Sequence, residues 1–247
     1  MANIPAGGGS GSGSNISFST DDAGRIVIID ENGHLAPGNI DEAEMIEALI
    51  QTGLYTLKNA VGLEMDYSNK IMKRIQSAVN LEMGADFDKF TMYGGRMRCN
   101  VADDGTINAF YGDSSYRDDG SNGQVMVYQP KFYYQRKPLD ISNLSKGQAI
   151  RRDSLIISAT KQPGFKIAPI FETEDGELDY VLFSAYEGSI ANDKLASVAN
   201  ATLADNKSIA EFEAAATARG NGWHIMNMAA ASANQMLEIV EFGQMNT

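Results

Sequence analysis

Cysteine is almost missing from this chain: Cys99 is the single thiol in 247 residues. One thiol excludes an internal disulfide, a thiolate zinc cage and a Cys-x-x-Cys redox pair, and it suits manufacture in a reducing compartment. Histidine is nearly as scarce, with only His34 and His224, so imidazole acid–base work and metal ligation have few candidates. His34 lies in a glycine-bounded turn and reads as a surface residue. His224 follows the only tryptophan, Trp223, and reads as a packed or capping residue ahead of a helix. Positive charge is also short: Lys and Arg total 20 against 32 Asp and Glu, a formal net charge of −12. A field of that sign repels phosphate, so no nucleic-acid partner is expected on a broad basic surface. The small basic clusters, Arg96 with Arg98 and Arg151 with Arg152, read as solvated strand faces. The longest aliphatic run is Ile26 to Ile29, far too short to cross a bilayer. The first residues, Met-Ala-Asn-Ile-Pro-Ala, lack the basic and apolar regions of a secretory signal.

Catalytic signatures are missing too. The sequence holds no Gly-x-x-x-x-Gly-Lys-Ser/Thr phosphate loop, no Gly-x-Ser-x-Gly elbow and no His-Glu-x-x-His pair. The expectation is a protein that is not an enzyme, with no catalytic residues, no cofactor and no assigned metal ligands. One loop invites a weighing for calcium: Tyr111 to Gly123 brings Asp113, Asp118, Asp119 and Asn122 among glycines. It lacks the alternating ligand spacing and terminal Glu of an EF-hand, and reads more simply as a polar surface loop rich in turn residues.

What is present comes in order. Residues 1–15 form a flexible arm around Gly7-Gly-Gly-Ser-Gly-Ser-Gly-Ser14, which a neighbouring molecule would have to order. Residues 16–89 read as an attachment and oligomerisation region. It opens with two strand patterns, Ile16–Thr20 and Arg25–Asp30, around an Asp21-Asp22-Ala23-Gly24 turn. A helix from Asp41 follows, with Ile46, Ile50, Leu54, Leu57 and Val61 on one seam; a second helical stretch runs from about Tyr67 to Leu81. Residues 90–247 read as an α+β domain. Its strands are expected at Met92–Val101, Ile107–Tyr111, Gln124–Tyr128, Lys131–Arg136, Arg152–Ser158, Phe165–Phe171 and Asp179–Ala185. Asp103-Asp104-Gly105-Thr106 and Glu174-Asp175-Gly176-Glu177 supply turns. Two helices come late. Ser208 and Glu211 match a capping box that opens a short one ending at Ala218. Asn227 caps the other, whose apolar stripe is Ala229, Ala233, Met236, Leu237 and Val240, and Gly243 ends it.

Several stretches, in sequence order, carry a resemblance. Met92-Tyr-Gly-Gly-Arg-Met-Arg-Cys-Asn-Val, Tyr111-Gly-Asp-Ser-Ser-Tyr and Asp119 through Tyr134 form its first part. Asp179-Tyr-Val-Leu-Phe-Ser-Ala-Tyr-Glu-Gly-Ser, Arg219-Gly-Asn-Gly-Trp-His and Gln235 through Gly243 form its second. Together, from about residue 40 onward, they resemble a family of structural proteins of tailed phages and prophages, virion fibre or tail-adhesion proteins. The resemblance implies an N-terminal hairpin and helices, then a partial C-type-lectin-like domain of short antiparallel strands with two late helices. It also implies residence in the virion and other virion proteins as partners. Homo-oligomerisation as a trimer is expected on the Ile46–Val61 seam, and a host-surface glycan or protein as target. In the family the chain runs on past the Phe-Gly helix end into its ligand surface. This sequence stops at Thr247, so the domain is expected to be incomplete and no family ligand residue can be placed. Three alternatives stand beside this reading: a head-fibre or capsid-decoration protein without a receptor role, a stand-alone carbohydrate-binding module with calcium at Asp113–Asn122, and an enzyme of the formylglycine-generating type. The last ranks lowest, because that branch needs a later cysteine site that Cys99 does not match.

Overall fold

The computed structural model describes residues 17–20, 26–29, 57, 59–139 and 151–244. Strands β1 (Ser17–Thr20) and β2 (Ile26–Ile29) pair antiparallel with Ser17 opposite Ile29. The strands β3 (Ala60–Asp66) and β4 (Ile71–Gln76) form a hairpin. Its turn is held by the Asp66 carboxylate, which accepts from the backbone N–H groups of Ser68 and Asn69. A 3₁₀ turn, Phe87–Lys89, leads to the one-turn helix α1 (Thr91–Gly94). Then come β5 (Met97–Val101), β6 (Ile107–Phe110), β7 (Gln124–Pro130), β8 (Tyr133–Pro138) and β9 (Arg152–Ser158). After β10 (Lys166–Ile167) and a 3₁₀ turn at Pro169–Phe171 the strands are short. They are β11 (Glu172–Thr173), β12 (Gly176–Glu177), β13 (Tyr180–Ser184), β14 (Ser189–Ala191) and β15 (Lys194–Ala196). Helices α2 (Ile209–Thr217) and α3 (Met228–Phe242) follow. The class is α+β, with mostly antiparallel sheet and few helices.

Two sheets carry the architecture: a five-stranded one in the order β10-β8-β9-β3-β4, and a four-stranded one in the order β13-β7-β5-β6. Strand β9 sits at the centre of the first and is buried along almost its whole length. Leu155 and Ile157 face the main core with Val61, Leu63 and Met65 of β3, Phe87, Phe132, Phe171 and the helix residues Ala233, Leu237 and Val240. Ile156 points the other way, to Leu57, Ala60, Tyr133 and Phe165. A strand covered on both faces needs a continuous apolar run, which Leu155-Ile156-Ile157 supplies. Gly62 of β3 lies against it so closely that a Cβ would come within 2.9 Å of Ile75 Cγ1 and 3.0 Å of Leu155 O.

Helix α3 is built as its termini predict. Asn227 accepts from the Ala230 N–H, and Gly243 adopts φ 64°, the left-handed stop. Its buried residues are Ala230, Ala233, Leu237 and Val240, with Met236 packed at the margin. The expected stripe is therefore right from Ala233 onward, while Ala229 is only half-buried. Arg74 of β4 caps the far end: its guanidinium donates to Leu81 O at 2.9 Å and to Glu241 O, and lies over the Phe87 ring, where a cation suits the helix dipole. Ser208 and Glu211 form the capping box of α2 with both reciprocal bonds in place.

The expectations for residues 57–81 are overturned. The stretch read as a helix from Tyr67 to Leu81 is the turn and strand of the β3–β4 hairpin. Ile71 and Ile75 are four apart, which fits period 3.6 and period 2 alike. Pairing with β3 decides for the strand: Met72 packs on the main core and Ile75 on the second cluster, on opposite faces. The proposed seam loses its last two members for the same reason. Val61 is in β3 and fully buried, and Leu57 belongs to the second cluster, so neither is free to line an outer trimer axis. Ile46, Ile50 and Leu54, like the Asp21–Gly24 turn and the arm, lie outside the described residues. Because β3 pairs with β9 and β8 pairs with β9, one sheet runs across position 89/90. In the later part, Met92–Val101 divides into α1 and β5, and Phe165–Phe171 into β10 and a 3₁₀ turn started by Pro169.

Leu237 is the largest fully buried side chain of α3. Leu237→Ala is expected to lower stability by about 3 kcal/mol, read as a lower urea midpoint with an unchanged slope. Gln235→Ala, on the exposed face, is expected to stay within about 0.5 kcal/mol.

Candidate functional site

The glycine-flanked tryptophan turn meets the β5–β6 turn at Asp103. The Trp223 Nε1–H donates to Asp103 O at 2.9 Å. The Asp103 carboxylate accepts from Lys194 Nζ at 2.7 Å and from Arg219 Nη1. Arg219 is buried; its Nε–H donates to Leu195 O at 2.8 Å and its guanidinium lies 5.5 Å from the Trp223 ring centroid. Gly220 is required at this approach, since a Cβ there would stand 2.6 Å from Asp103 O. The Lys194 ammonium, and then the Arg219 guanidinium, hold the Asp103 carboxyl below the usual carboxylate range. The Asp103 carboxylate, Arg219 Nε and Nη1 and the Trp223 indole N–H all have partners in this knot, and its effect is positional. It pins residues 219–223 to the four-stranded sheet, where Trp223 packs against Cys99, Val101 and Met126, and so directs the chain from Trp223 to α3 along a defined path.

That path is one wall of an open groove of about 1180 Å³. The other wall is β13. All five of its residues, Tyr180 to Ser184, line the groove. Side chains alternate between the two faces of a strand, so five consecutive lining residues mean that the groove runs along the strand's edge. Among the described residues β13 is an edge strand, bonded to β7 alone. The Ala185 N–H donates to Val125 O and the Lys131 N–H to Asp179 O, so the odd-numbered residues face β7. By antiparallel alternation, Tyr180, Leu182 and Ser184 direct their N–H and C=O groups into the groove. Met226, 64% exposed, belongs to the facing wall. Glu172, Glu187 and Glu238 are the acidic residues of the lining and Arg96 is its one Lys or Arg side chain.

The residues weighed from sequence are placed as follows. In the 111–123 loop, Asp113 Oδ2 accepts from the Phe110 N–H, and Asp118 Oδ1 from the Tyr116 and Tyr186 hydroxyls. Asp119 Oδ1 accepts from Ser121, and Asn122 Nδ2 donates to Ser115 O. Asp113, Asp119 and Asn122 bond within the loop region and Asp118 also ties it to Tyr186, and among the described residues no three His, Cys, Asp or Glu side chains converge on a metal position. Cys99 is buried in β5, and burial pushes its thiol up to about 11, so it stays protonated at neutral pH. His224 is exposed beside the groove, with Nδ1 2.7 Å from Ile225 O; His34 lies outside the described residues. The basic clusters are locally engaged: Arg98 lies over the Tyr186 ring at 5.3 Å, Arg96 Nη2 donates to Asn234 Oδ1 at 3.4 Å, and Arg152 pairs with Glu64 and Asp66. The groove itself was not anticipated. Its only trace in the sequence is that Tyr180-Val-Leu-Phe-Ser184 carries neither charge nor proline.

Compared with protein-family models, with curated proteins and with solved structures, the chain has no match in any of the three.

Trp223, as the only tryptophan, reports on the knot directly. Asp103→Ala is expected to cost about 1–2 kcal/mol, the lower range because the carboxylate is half-exposed, and to shift the Trp223 emission of the folded state. A depressed carboxyl contributes stability that is complete above its unfolded value of about 4 and disappears as pH falls through the folded value. Stability measured by urea titration between pH 5 and 2 is therefore expected to fall less steeply in Asp103→Asn than in the parent chain.

Proposed function

We propose that this chain is a non-enzymatic structural protein of a tailed-phage virion, a fibre or tail-adhesion component. In this reading its N-terminal region attaches it to the particle, and a partial C-type-lectin-like domain projects toward the host surface. The observation that carries the reading is the groove. Two of the stretches that resemble the fibre family, Asp179–Ser189 and Arg219–His224, bear its facing walls, and a third, Gln235–Gly243, continues the helix that borders it. An open groove with the exposed Met226 on one side and an uncapped strand edge on the other is suited to docking a macromolecule. Other virion proteins are the partners it fits first, with a host glycan or protein as the target of the assembled particle. Homo-oligomerisation, as a trimer, belongs to the same proposal and would draw on the chain before β3.

Mass spectrometry of density-purified particles tests the reading. Peptides of this chain are expected at fixed stoichiometry with the other particle proteins, and in the tail fraction when heads and tails are separated. Recovery with heads alone would replace the adhesion role by head decoration, and absence from particles would overturn the virion assignment.

A further inference from the structure

We infer that the free edge of β13 takes up an extended, basic strand of a partner protein as a fifth strand of the four-stranded sheet. This deepens the docking role proposed above and rests on it. Tyr180, Leu182 and Ser184 present N–H and C=O groups that no described residue pairs along this edge, and an incoming antiparallel strand satisfies them in the ordinary ladder pattern. The template is already rigid, because Val181 packs on the main core and Leu182 on the Trp223 cluster, on opposite faces. An ordered template lowers the entropy cost of adding a strand.

Edges that must stay free are blunted by charge, bulges or shortness, and the other edges of the two sheets show these devices. β4 carries Lys73 and Arg74, β10 has two residues, and the β5–β6 pairing is bulged at Asn100/Val101. β13 has none of them. It is neutral, free of proline and five residues long.

Charge selects the occupant. Glu172, Glu187 and Glu238 against Arg96 leave the groove acidic, and the chain as a whole carries −12. A second copy is repelled by both terms, whereas a strand with a Lys or Arg is attracted. Apolar side chains at alternate positions of that strand meet either Tyr180 and Leu182 on one face or Val181 and Phe183 on the other.

The experiment selects binders to the purified full chain from a display library of random 12-residue peptides. The expected winners alternate apolar residues, include Lys or Arg and carry no proline in the paired run. N-methylation of successive amides in the best peptide is expected to weaken binding about tenfold at every second position, the mark of one ladder edge. Leu182→Pro removes an N–H that makes no bond to β7, so binding is expected to fall at least about tenfold with the far-UV circular dichroism of the folded chain retained. Ser184→Lys, which adds a charge at the same edge, checks the loss without altering φ. Failure to enrich any peptide, or binding indifferent to both variants and to N-methylation, would overturn the inference. So would a concentration-dependent dimer abolished by Leu182→Pro, because the occupant would then be a second copy. Virion membership is decided separately by particle mass spectrometry, so the two readings can fail independently.

Discussion

A strand with water on neither face has only one register open to it, and β9 is such a strand. Leu155 and Ile157 face α3 and the phenylalanine cluster, while Ile156 faces Tyr133 and Phe165. A slip of one residue would exchange these sets and leave both cores mismatched. β3 and β8 take their register from it on either side. The second residue of the same strand is Asp153, buried, whose carboxylate accepts from Arg136 Nε at 2.7 Å and from the Tyr67 hydroxyl at 2.9 Å. That satisfied polar end ties β8 and the β3–β4 turn to one position along β9, since an unpaired buried carboxylate would be costly.

The second sheet hangs on the first through a short span. Gln129, near the end of β7, is fully buried and donates to Met92 O of α1, and Phe132, just before β8, fills the main core. Val181 reaches that core from β13. The edge strand is thus held from behind by the interior of the neighbouring layer, and its outward backbone is left without a ladder partner. Across the groove, the knot at Asp103 brings together two turns that are 116 residues apart in the chain. Burying the Arg219 guanidinium there is tolerable because the carboxylate, the Leu195 carbonyl and the Trp223 ring all meet it. A rigid strand and a pinned loop on opposite sides give a groove whose shape is set before any partner arrives.

Charge scarcity of one sign works with this arrangement. The chain is acidic overall, Arg96, Arg98 and Arg152 are engaged with asparagine, tyrosine and carboxylate neighbours, and the groove shares the overall sign. A groove of that sign leaves the bare strand edge less prone to pairing with itself.

Local chemistry determined much of this protein by itself. Ser208 with Glu211, Asn227 and Gly243 mark helix ends because caps are satisfied within four residues. The run 152–158 reads as a strand by its composition, and the near-absence of Cys and His leaves thiolate and imidazole chemistry few candidates. The tertiary structure alone decided the rest. Ile71 and Ile75 fit two periods until β3 pairs with them. Val61 could sit on a helical seam until β9 claims it. Trp223 could pack anywhere until Asp103, far off in sequence, offers a carbonyl. Above all, nothing in Tyr180–Ser184 says that it is an edge. A strand's unpaired side is a property of sheet order, and sheet order is fixed by which long-range contacts bury the most surface without orphaning a polar group.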